Sequence, residues 1–186
     1  MKPDRRAVLE ALAETLDVEE VLRAFPDLGK EELRTMIRGA GSRKAASPGK
    51  DARLVAYVDG AARGNPGEAG AGIVLKDTAG GVVEKIALYL GKATNNMAEY
   101  KALIHALRRA GELEASSLQV YSDSELLVHQ INGRYRVRAP HLQTLCQEAI
   151  RLMRDIGDVN ISHIPREKNA EADEQANRAI DQSLKR

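Results

Sequence analysis

LVAYVDGAARGNPGEAGAGIVLKDTAGGVVEKIALYL, residues 54–90, decides the fold class. LVAYVD is short and rich in β-formers, as a buried strand is. GAARGNPGEAG reads as a Gly-rich turn. AGIVLK and GVVEKIALYL read as two further strands joined by a turn at Asp77–Gly81. Three successive strands with only turns between them predict an antiparallel meander. Downstream the period changes. From Asn96 to about Ala110, Met97, Leu103, Leu107 and Ala110 recur at helical spacing. LQVYSD then reads as a fourth strand and SELLVHQI as a short helix. Pro140 sits in the first turn of a long amphipathic helix carrying Leu142, Leu145, Ala149, Leu152 and Met153. VNISHI reads as a fifth strand. Asn169 is placed to cap a final helix whose stripe, Ala172, Ala176, Ala179 and Ile180, is small enough for close packing. A meander followed by alternating helix and strand predicts an α/β fold, a mixed five-stranded sheet covered by helices.

Upstream of this domain, at 54–186, the pattern differs. Residues 1–38 predict a small helical segment: Val8, Leu9, Leu12 and Leu16 fall at helical spacing, and Asp17 with Glu20 forms a capping box for a second short helix. Phe25-Pro26 ends that helix, and Leu33, Met36 and Ile37 mark a third. Residues 39–53 have no apolar period and read as a linker. No aromatic-rich binding module is visible here, since Phe25 is the one aromatic in the segment.

The chain has 186 residues, 43% of them hydrophobic, with one Phe and no Trp, so the core must rest on Leu, Val, Ile and Ala. Net charge is +1, so any anionic partner must be held by local features or by metal. A single cysteine, Cys146, excludes an intramolecular disulfide and a cysteine zinc site, and its place in a helical apolar stripe predicts a buried thiol. The N-terminus lacks an apolar run of signal-peptide length, and no stretch approaches a membrane span. These features predict a soluble, cytoplasmic protein.

Four carboxylates fall at element boundaries. Asp59 ends the first strand and Asp123 the fourth; Glu99 and Asp173 lie in the first turns of helices. Each has a local alternative. Asp123 could cap the next helix, Glu99 could close a capping box with Asn96, and Asp173 suits a helix N-terminus. One mixed sheet could instead bring all four together. Such a cluster repels itself and raises pKa values. A hard cation with oxygen ligands relieves it, and Mg²⁺ fits best, with Mn²⁺ as the alternative. Two such ions ~4 Å apart suit phosphoryl transfer. No Ser–His–Asp arrangement or GxxxxGK[ST] loop competes.

DGAARGNPGEAGAGIVL, TNNMAEYKALIHAL, VYSDSELLVHQI and IPREKNAEADEQANRA occur in that order. Together they resemble the four signature blocks of type 1 ribonucleases H, over roughly residues 54–181. The resemblance implies a ribonuclease H-like fold. It implies an endonuclease that hydrolyses the RNA strand of an RNA–DNA hybrid, with a water nucleophile and products bearing 5′-phosphate and 3′-hydroxyl ends. It also implies that Asp59, Glu99, Asp123 and Asp173 hold two metal ions, with Asp59 bridging them. Gly60, Asn65, Asn95 and Asn96 match residues that touch the hybrid's minor groove. An Asn amide both donates and accepts, as a 2′-hydroxyl does, and Gly60 lets backbone approach without a Cβ. Asn65-Pro66-Gly67 would equally make a good turn in any protein.

The chain departs from the family pattern in three places. Many members carry a His in a flexible loop before the last acid. Here Pro165–Lys168 is short and has none, and His163 falls inside the strand VNISHI, where it is expected to be packed or hydrogen-bonded. Arg166, Glu167 or Lys168 could line the site instead. Glu125 stands where many members have Gln. The basic protrusion of some members is missing, although Arg134, Arg136 and Arg138 alternate in the connection INGRYRVRAPHL and could meet DNA phosphates. Two other readings compete: a module of the same fold that binds without cutting, and a different four-acid nuclease such as a 3′–5′ exonuclease. The intact acids weigh against the first, and the NPG and TNN blocks against the second.

Overall fold

In the computed structural model the described residues are 23–26, 28, 29, 33 and 52–184. The chain divides into two compact units, Met1–Ala45 and Ala46–Arg186. In the first, Arg23 and Ala24 are helical, Pro26 lies in a turn, and Leu28 and Leu33 are buried. The Leu28 N–H donates to Phe25 O at 3.0 Å and the Leu33 N–H to Gly29 O at 2.9 Å. The helix expected around Val8–Leu16, the Asp17–Glu20 capping box and nearly all of the expected linker lie outside the described residues.

The second unit holds β1 (Ala52–Gly64), β2 (Gly67–Asp77), β3 (Val82–Ala93), α1 (Asn95–Glu112), β4 (Ala115–Ser122), α2 (Glu125–Ile131), α3 (Pro140–Ile156), β5 (Asp158–His163) and α4 (Ala170–Ser183). One five-stranded sheet runs in the order β3-β2-β1-β4-β5. β1–β2 and β2–β3 are antiparallel, while β1–β4 and β4–β5 are parallel. This is the mixed, helix-covered sheet that the alternation predicts.

Two boundaries differ from the sequence reading. β1 begins at Ala52, inside the stretch read as linker. GAARG is strand and not turn: β1 and β2 pair down to Gly64↔Gly67, leaving only Asn65 and Pro66 between them. Ala and Gly give no hydrophobic alternation to read. Their smallness is what this part of the sheet needs, because Ala69 packs with Ala93 and Ala98 in a small buried cluster.

Strand alternation sorts the two faces. Leu54, Ala56 and Val58 of β1, Ala71, Ile73 and Leu75 of β2, and Leu118 and Val120 of β4 point into the main core. There they meet Leu103, Ala106, Leu107 and Ala110 of α1, with Leu142, Cys146 and Ala149 of α3. The Cys146 thiol is buried, as expected. The opposite face of β2 carries Gly70 and Gly72, and α4 lies directly on them. A Cβ at Gly72 would stand 1.9 Å from Ala172 O, and one at Gly70 would stand 2.4 Å from Ala176 O. The small stripe on α4 is therefore half of a close helix–sheet contact. Glu171, in the first turn of α4, accepts from Lys76 of β2 at 2.6 Å and from Lys85 of β3 at 2.8 Å.

Candidate active site

The register places the acids. β4 ends at Ser122, opposite Val58, so Asp123 comes level with Asp59 where β1 loses its parallel partner. Asp59 pairs with Gly72, which puts its side chain on the face covered by α4, and Asp173 lies in the first turn of that helix. Gly60 points to the other face and meets α1: a Cβ there would stand 2.1 Å from Glu99 N. That close approach lets the Glu99 carboxylate reach β1, where Oε2 accepts from the Gly60 N–H at 3.2 Å. The absence of a Cβ at Gly60 therefore serves helix packing.

The local alternatives for Glu99 and Asp123 do not hold, whereas Asp173 does lie in the first turn of α4. Thr94 caps α1, accepting from the Met97 N–H at 3.3 Å, so Asn96 and Glu99 form no capping box. Ser124, not Asp123, caps α2, accepting from the Leu127 N–H at 3.4 Å. Asn169 occupies the capping position of α4 but makes no side-chain cap. Its Nδ2 instead donates to Val58 O at 2.9 Å and to Asp123 Oδ1 at 2.6 Å. Asp173 accepts from Arg166 Nη2 at 2.8 Å and from Asn177 Nδ2 at 3.0 Å.

The electrostatics are those of one shared pocket. Asp59 and Glu99 are 6% and 7% exposed, rare for carboxylates. Burial, then the charges of Asp123 and Asp173, push Asp59 from 3.8 up to about 7. Burial, then Asp59 and Asp123, push Glu99 well above its ordinary value. The Arg166 guanidinium opposes both shifts. Arg166 is thus the loop residue of Pro165–Lys168 that faces the acids. His163 ends β5 and is exposed, so the expectation of a packed or hydrogen-bonded imidazole is corrected. It sits at the last position of a short edge strand, open to solvent.

Asn65, Asn95 and Asn96 are exposed, and Asn65 Oδ1 accepts from the Asn95 N–H at 3.3 Å, so the β1–β2 turn meets the start of α1. Arg166 and Asn169 were the functional candidates least visible in sequence. Arg166 had only its place in the short loop, and Asn169 looked like an ordinary cap.

The donor set suits hard divalent cations: carboxylate oxygens only, with Asp59 and Glu99 pushed up by burial and by neighbouring acids. Among the described residues no three acids, imidazoles or thiols stand as a ready-made metal-binding group. The reason lies in the contacts above. Three of the carboxylates have different partners, Glu99 with Gly60, Asp123 with Asn169 and Asp173 with Arg166.

A model of the family described as reverse transcriptase-like matches residues 57–179. Ribonuclease HI of Halobacterium salinarum is 40% identical over 134 residues, covering 72% of this chain and 67% of that protein. The bifunctional protein Rv2228c of Mycobacterium tuberculosis is 39% identical over 130 residues, but the match spans only 36% of its length. Among solved structures, LC11-RNase H1 in complex with an RNA/DNA hybrid superposes with a TM-score of 0.68 at 40% identity, covering 70% of this chain and 99% of that one.

Proposed function

The chain belongs to the ribonuclease H family of hydrolases, and on that footing we propose that it is an endonuclease that cuts the RNA strand of RNA–DNA hybrids, leaving 5′-phosphate and 3′-hydroxyl ends. What supports the reading is the charge effect that links the acids: Asp123 and Asp173 act on Asp59, and Asp59 and Asp123 act on Glu99. These four side chains would hold two divalent cations, Mg²⁺ or Mn²⁺, which supply Lewis acidity and charge neutralisation at the scissile phosphate. Asp59, buried and within reach of the charges of Asp123 and Asp173, would be one of the residues that hold them.

The chain's own groups do the rest. Asn65, Asn95 and Asn96 offer amides that both donate to and accept from 2′-hydroxyls, the feature that separates RNA from DNA. Gly60 would contribute to such contacts only through its carbonyl or Cα, since its N–H is given to Glu99. Arg166, 76% exposed and anchored on Asp173, presents a cation beside the acids where a phosphate oxygen would lie. Arg134, Arg136 and Arg138 lie in the connection between α2 and α3 and would supply positive charge for phosphates of the DNA strand.

The test is cleavage of a hybrid labelled in its RNA strand, beside matched DNA and RNA duplexes, with product ends mapped. Cleavage of the hybrid alone, abolished by EDTA and by Asp123→Asn, is expected. Undiminished cutting in excess EDTA would overturn the metal assignment. A hybrid that is bound but never cut at any Mg²⁺ or Mn²⁺ concentration would favour the binding module.

A further inference from the structure

Asn169 is spent in an unusual way. An Asn at the start of a helix ordinarily accepts a hydrogen bond from the first turn. Here the side chain turns from its own helix into the protein and is 1% exposed. Its amide nitrogen bridges two acceptors far away in sequence: the Val58 carbonyl of β1, and Asp123 Oδ1 just past β4. Its Oδ1 is buried with no partner among the described residues. A folding role alone does not account for this. Capping α4 would have satisfied the oxygen, whereas a buried unpaired acceptor is a cost.

We infer that Asn169 is a positioning residue for cleavage: it fixes the direction of the Asp123 carboxylate and ties it to the strand that bears Asp59. The inference rests on the assignment of Asp123 to the acid site. A carboxylate beside other carboxylates is driven outward, and Asp123 is only partly buried. A hydrogen bond to one oxygen stops that swing and leaves Oδ2 free to act as a ligand. The donor is neutral, which matters. A Lys or Arg in its place would discharge the acid and compete with a cation; an amide orients the acid without cancelling its charge. Because the same nitrogen also holds Val58 O, one residue before Asp59, a single side chain sets the spacing of two acids on adjacent strands.

Asn169→Ala and Asn169→Ser test this, the second because a Ser at this position can cap α4 and preserve the fold if the Ala variant fails. Mg²⁺ titrations would follow both hybrid cleavage and the Mg²⁺-induced rise in Tm. The midpoint of both is expected to move to about 10–100-fold higher Mg²⁺, with the KM for hybrid within about twofold of the parent. A lower Tm in EDTA with unchanged Mg²⁺ midpoints and unchanged turnover per folded molecule would make Asn169 a clamp on Val58 and nothing more. Asp123→Asn is the control on the underlying assignment. If Asp123→Asn shifts the Mg²⁺ midpoint of Tm and the Asn169 variants do not, this inference fails alone. If Asp123→Asn shifts nothing, the acid-site assignment fails with it.

Discussion

Asp59 holds its proton to about 7 in the folded chain against an ordinary 3.8, so between those values the folded state binds more protons than the unfolded one. Stability without metal should therefore fall as pH rises from about 4 to about 7. Thermal melts in EDTA across that range would show it, and Asp59→Asn should flatten the slope. A parent Tm that climbs through this window would contradict the burial of Asp59 among like charges. The two basic candidates near the acids should separate as well. His163→Ala should cost less than about tenfold in turnover, whereas loss of a true general acid or base costs ~10²–10⁴-fold. Arg166→Ala should cost more than His163→Ala, because Arg166 pairs with Asp173 within range of Asp59 and Asp123, while His163 is exposed at the end of β5. A pH–rate inflection near the imidazole pKa that disappears with His163→Ala would reverse that order. The acids stood out in sequence because each falls where the apolar pattern breaks, although β1 runs on past Asp59 to Gly64. Asn169 was not, since its partners lie 46 and 111 residues away and no local pattern encodes them.

At the level of elements, the seating of α4 on β2 is the contact with least tolerance. Gly72→Ala places a methyl 1.9 Å from Ala172 O, backbone that has nowhere to move except away from the sheet. Overpacking of this kind costs about 1–3 kcal/mol, occasionally more. The variant should melt several degrees lower in EDTA and need more Mg²⁺, because Asp173 travels with the helix. Gly80→Ala is the control for a glycine with open space around it, although its positive φ of 86° brings a strain of its own. Equal effects at the two positions would show that α4 is not seated this tightly. The helices and the hydrophobic strands were legible from periodicity. The extension of β1 and β2 through GAARG and GEAG was not, because Ala and Gly carry no period, and the pairing there is dictated by what packs above and below.

For the whole molecule, the four acids and the three asparagines come from one compact unit, Ala46–Arg186. A fragment of residues 51–186 is accordingly expected to fold and to cut hybrid, with at most weaker binding. A folded but inactive fragment would give residues 1–50 a part in the site. Binding should also be salt-dependent in a way that net charge does not foretell. Replacing Arg134, Arg136 and Arg138 together by Gln should weaken hybrid binding and reduce the slope of log K against log [salt] by about 1–3, close to one unit for each phosphate no longer neutralised. An unchanged slope would return those arginines to an ordinary solvated surface. The order of the acids along the chain has a temporal meaning too. Asp59, Glu99 and Asp123 are synthesised well before α4, which brings Asp173, with Asn169 just ahead of it. A nascent chain still short of α4 lacks both the fourth acid and the amide that holds the third. On the proposed reading, the acid set would be complete only once α4 has been made and has docked on β2.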